Sequence, residues 1–139
     1  MIDRKPLLAF LRSQRWLQGA ERAFEDERWD DVIYCSQMAV EQAMKALLIR
    51  EGLIFKRVHD VSDEFILLRH KKSTPESLWS NVEKLADTLV YLTDQRALAG
   101  YGFEEGVEVS FFKDSAPLAL EKAKWALRLI GLVFDKSKS

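Results

Sequence analysis

The stretch DDVIYCSQMAVEQAMKALLIREG, residues 30–52, is apolar around most of a helical circumference, through Val32, Ile33, Cys35, Met38, Ala39, Val40, Ala43, Met44, Ala46, Leu47 and Ile49. A helix of that kind belongs in the middle of a bundle or in an oligomer contact. Asp30 and Asp31 stand at its positive dipole end, and Gly52 is placed to stop it. Three polar residues, Gln37, Glu41 and Lys45, recur every fourth position and so form one line along it. That line reads as an exposed stripe with an ordinary Glu-to-Lys pair; the sharper reading makes it the rim of a groove.

Helical spacing continues on both sides. Upstream, Leu7, Leu8, Leu11, Trp16, Leu17, Ala20, Ala23 and Phe24 mark one face of a helix over residues 6–28, with Pro6 suited to its first turn. Downstream come a loop, a short helix over 61–70, and a second break in which Ser73 or Thr74 can cap a helix beginning with Pro75 and Glu76. That fourth helix, residues 76–98, aligns Leu78, Val82, Leu85, Leu89 and Leu92. The segment DQRALAGYGFEEG, residues 94–106, then interrupts the pattern. A last helix over 115–134 carries Ala119, Ala123, Ala126, Ile130 and Val133, with Ser115 as its N-cap, and residues 135–139 are expected to fray. No stretch alternates as a strand does, so the fold class is all-α.

A chain of 139 residues fits one domain, expected to span 1–139. Hydrophobic residues at 47% and charged residues at 31% describe a soluble globular protein. Lys and Arg total 21 against 22 for Asp and Glu, so any nucleic-acid binding must depend on a local patch. The single cysteine, Cys35, reads as a small buried hydrophobe, and a cytoplasmic location is expected. The first sixteen residues lack the features of a signal peptide, and no apolar run approaches the roughly twenty residues a membrane span requires.

Most chemical signatures are absent from the sequence. It has neither a phosphate-binding loop ending in Lys-Ser or Lys-Thr nor a nucleophile elbow. His59 and His70 have no partner at metal-ligand spacing, so neither a metal nor another cofactor is expected. Three places stand apart. Asp60 can cap the short helix while His59 beside it can orient backbone or bind an anion. Arg96, near the end of the fourth helix, either complements the helix dipole or meets a ligand. Tyr101, between Gly100 and Gly102, can present its ring to a base or bury it.

Residues 16–61 hold an amphipathic helix, an aromatic near the next helix start, the run Gln37, Ala39, Val40, Glu41, Ala43, Lys45, Ala46, Leu47, and then His59-Asp60. This order resembles the HEPN domain family, small prokaryotic helical proteins often found beside minimal nucleotidyltransferases. The resemblance implies an up-and-down bundle of four main helices plus a short extra one. It also implies a homodimer, with helix ends and a groove at the subunit interface used for nucleotides or RNA. RNA-cleaving members carry an Arg followed four to six residues later by His, two such motifs meeting across the dimer.

The matching arginine here is Arg96, but no histidine lies downstream of it, and Tyr101 occupies the interval. Histidine suits proton transfer near neutral pH, whereas arginine stays protonated and tyrosine, with a pKa of about 10, is a poor base. The expectation is therefore a non-catalytic nucleotide- or RNA-binding protein, paired with a minimal nucleotidyltransferase in a toxin–antitoxin-like or defence system. Arg96 would hold phosphate and Tyr101 would stack on a base, with His59, Asp60, Lys45 and Glu41 as further contacts. The rivals are a metal-independent endoribonuclease using Arg96 with His59 or Tyr101, and a purely structural dimerisation module.

Overall fold

A computed structural model describes residues 3–53, 61–67 and 75–134. Its helices run in the order α1 (Lys5–Glu25), α2 (Trp29–Arg50), α3 (Ser62–Ile66), α4 (Glu76–Trp79), α5 (Val82–Tyr101) and α6 (Ala116–Phe134), and no strand occurs among the described residues. Four of them are long, and α2 is the axis of the assembly, packing against α1, α5 and α6. Val32, Ile33, Ala39, Val40, Ala43, Met44, Ala46, Leu47 and Leu48 of α2 are completely buried. The all-α bundle expected from periodicity is the observed architecture.

Small residues let these helices approach closely. Gly19 of α1 faces Cys35 of α2, where an added Cβ would stand 3.6 Å from the thiol sulfur. Gly131 of α6 receives the ring of Phe10, which would lie 3.1 Å from such a Cβ, and Phe10 stacks on Phe134 with ring centres 4.9 Å apart. Phe10 therefore pins the start of α1 to the end of α6, so the two run antiparallel. Cys35 is half-buried rather than fully enclosed, and burial raises its thiol pKa. Both facts suit a packing residue better than a nucleophile.

Three sharp reversals share one hydrogen-bond pattern. After α1, Arg28 N–H donates to Ala23 O at 2.9 Å and Glu27 N–H to Phe24 O at 3.1 Å. After α2, Leu53 N–H and Gly52 N–H do the same to Leu48 O and Ile49 O, and Val107 and Gly106 repeat it on Gly102 and Phe103. The pattern satisfies the last carbonyls of a helical turn and needs one residue at positive φ. Gly52 (φ 71°) and Gly106 (φ 81°) fill that position without strain, but in the first turn it falls to Glu27 (φ 60°).

Several boundaries differ from the sequence expectation. The first helix stops at Glu25, short of residue 28. The fourth is two helices, because the chain turns at Ser80-Asn81, where Asn81 Nδ2 donates to Ser77 O at 2.7 Å. Leu78 and Val82 are four residues apart and stay in the core across this break, so apolar spacing reads straight through it. At its far end α5 continues past residue 98 to Tyr101, and the chain then tightens into 3₁₀ turns at Gly102–Glu105 and Val109–Phe112. Ser115 directs its hydroxyl back to Phe112 O at 3.4 Å, and α6 begins one residue later. The expectations for the loop at 54–60, for Ser73 and Thr74, for His70 and for residues 135–139 fall outside the described residues. Among the described residues, no helix is long and apolar enough to cross a membrane.

Glu27 carries a left-handed conformation that glycine adopts freely, so Glu27→Gly should raise stability by about 0.5–1 kcal/mol despite the extra freedom of its unfolded chain. Gly52→Ala should lower stability by about 1 kcal/mol. Urea unfolding of both variants reads the two signs side by side.

Candidate functional site

The polar line of α2 is not a solvent-exposed stripe. Gln37 is fully buried and Glu41 is 2% exposed, which overturns the surface reading of that spacing. The reason is that α5 lies over this face, and the polar groups pair with one another instead of with water. Gln37 Nε2 donates to Glu41 Oε1 at 3.0 Å, and Lys45 Nζ donates to Glu41 Oε2 at 3.1 Å. Both carboxylate oxygens are thus engaged, one by a cation, as burial of a charge demands. Gln37 Nε2 also reaches Thr93 Oγ1 of α5 at 3.4 Å, which ties the line to the neighbouring helix.

One turn toward the start of α2, the same face presents Tyr34. Arg96 of α5 lays its guanidinium over the Tyr34 ring, 4.4 Å from the centroid, while Nη2 donates to the Tyr34 hydroxyl at 2.9 Å. A cation held by both the face and the oxygen of one ring is fixed in position and orientation. Arg96 Nε is buried and has no hydrogen-bond partner among the described residues. Tyr34 also meets Trp16 of α1, with ring centres 6.4 Å apart and planes tilted by 52°. Trp16, Tyr34 and Arg96 therefore join α1, α2 and α5 in one aromatic and cationic row. As Tyr34 pairs with Arg96 and Gln37 with Thr93, α2 and α5 are antiparallel.

The profile of the HEPN domain matches residues 8–134, nearly the whole chain. The chain belongs to the HEPN domain family. No significant match was found among curated proteins or among solved structures.

Within this HEPN fold the sequence-derived candidates separate. Arg96 lies five residues before the end of α5, but its guanidinium is turned onto α2, so the Tyr34 stack rather than the helix dipole accounts for its placement. Lys45 and Glu41 sit together on α2, while Arg96 lies one or more turns away along the same interhelical seam. Tyr101 is not brought to Arg96. Five helical residues amount to about 140° of rotation, and Tyr101 is 69% exposed at the end of α5. The residues of α5 that do share the Arg96 face farther on are Ala99 and Gly100. His59 and Asp60 lie outside the described residues.

Tyr34, Thr93 and Trp16 are contacts that the sequence reading missed. Tyr34 was signalled by spacing, since 34, 37, 41 and 45 form one continuous helical line. An open cleft of about 540 Å³ lies elsewhere, on the side of α5 that meets α6. Its charged lining is Lys84 and Lys122 against Asp87 and Glu121, which leaves no net field for an anion.

Removing one partner of the buried pair should be costly: Glu41→Ala is expected to lower stability by about 3 kcal/mol. Tyr34→Phe keeps the ring under Arg96 but removes its acceptor, and should cost about 1.5 kcal/mol. Denaturant melts test both, and a Glu41→Ala protein as stable as the parent would show that the pairing contributes nothing.

Proposed function

We propose that this HEPN protein works by binding a nucleotide or RNA and not by cleaving it. The observation that carries the reading is the state of Arg96, a guanidinium held rigid by Tyr34 with no proton-transferring side chain after it on its own helical face. A fixed guanidinium is well suited to hold a phosphate. Cleavage by in-line attack of the 2′-hydroxyl needs a group that gives or takes a proton near neutrality. Ala99 and Gly100, which follow Arg96 on that face, cannot do so, and Tyr101 stands about 140° round the helix.

The same reading includes a homodimer and a minimal nucleotidyltransferase partner, within a toxin–antitoxin-like or defence pair. An exposed aromatic segment supports a protein partner. Tyr101 at the end of α5 and Phe103 and Phe111 in the 3₁₀ turns after it are exposed, among Glu104, Glu105 and Glu108. Large exposed rings rimmed by charge are characteristic of contact surfaces.

Arg96→Ala should weaken nucleotide or RNA binding at least tenfold while leaving the helical circular-dichroism signal intact. Incubation of the purified protein with RNA in EDTA should leave the RNA whole. RNA cleavage by the parent that disappears in Arg96→Ala would replace the binding reading with an endoribonuclease.

A further inference from the structure

The chain is close to neutral overall, yet its first helix is not. Between Arg4 and Ala20 there are four cationic residues, Arg4, Lys5, Arg12 and Arg15, and no acidic one. Arg12 and Arg15 are exposed, and neither has an ion-pair partner among the described residues. With Trp16 they line a concave site of about 280 Å³. Arg12 is three residues from Arg15 and four from Trp16, the spacings that share a helix face, and all three side chains border this one concavity. Trp16 in turn meets Tyr34, and Tyr34 carries Arg96.

Cations and rings thus occur side by side from the surface of α1 to the seam with α5. Of the α2 carboxylates, Glu41 does not oppose this field, since it is buried and paired with Lys45. Nor does Asp31 at the start of α2, which is paired with Arg28. Unpaired guanidiniums beside an accessible aromatic face are the two elements by which proteins hold a single strand, phosphates on the cations and bases on the rings. A mononucleotide could occupy Arg96 alone. A cationic surface extending a further helix away calls for a ligand with more than one phosphate.

We propose that Arg12, Arg15 and Trp16 form an extension of the Arg96 site that binds single-stranded RNA, with the two arginines on successive phosphates and Trp16 against a base. The extension rests on the binding reading given above for Arg96. It makes the ligand an oligonucleotide strand rather than a free nucleotide.

The test is fluorescence anisotropy with labelled octauridylate over a range of salt, beside ligand-observed NMR with UMP. The Arg12→Gln/Arg15→Gln double variant should bind octauridylate at least tenfold more weakly. Its log-affinity against log-salt slope should fall by about 1.4, for two lost phosphate contacts on a single strand. UMP binding should be unchanged. Trp16→Ala should lose about tenfold and Trp16→Phe should keep most of the affinity, which separates stacking from general damage to the fold. Octauridylate binding with parental affinity and salt slope in the double variant overturns the extension and leaves the Arg96 reading standing. Failure of the parent protein to bind either octauridylate or UMP removes both.

Discussion

The carboxylate of Glu41 is the constraint around which the bundle is arranged. It sits in the middle of the most buried helix, where an unpaired charge would cost several kcal/mol. Lys45 and Gln37 engage both its oxygens from the same helix, and Thr93 joins Gln37 from α5. Because α2 neutralises its own polar line, that line can be covered by another helix. The remaining faces are then free to carry the alanines, valines and leucines that pack on α1 and α6. Tyr34 and Arg96 extend the same seam, and their stacking fixes a cation where α2 and α5 meet.

Much of the fold was legible because long helices announce themselves by period. The core faces of α2 and α6, the stop at Gly52 and the all-α class all follow from apolar spacing and one glycine. What spacing hides is a change of direction that keeps the register. Leu78 and Val82 stay buried on both sides of the turn at Asn81, and the pattern therefore reads as one helix. Gly100 shows the converse, a glycine inside a helix that does not end it. Glu27 is hidden for another reason, since a residue type that avoids positive φ gives no sign that it adopts it.

The site was legible in part. Arg96 and the Gln37–Glu41–Lys45 line were visible as residues, but their burial was not, because one sequence cannot show which face a second helix will cover. The pairing of Tyr34 with Arg96 spans 62 positions and arises only from the antiparallel packing of α2 and α5. The separation of Tyr101 from Arg96 was hidden for a simpler reason. Counting residues after Arg96 measures distance along the chain, whereas α5 continues as a helix and carries Tyr101 round to another side.

The short turn between α1 and α2 also bears on how the chain reaches this structure. Only Asp26, Glu27 and Arg28 separate the two helices, so bringing them together closes a small loop and restricts few residues. The α5 contacts of α2, by contrast, require the long connection from Arg50 to Val82 to be closed first. Local closure at low entropic cost favours rapid association. The α1–α2 hairpin thus offers the later helices a surface that already holds Trp16, Tyr34 and Glu41, and α5 completes the buried seam by arriving on a partner that has taken shape before it.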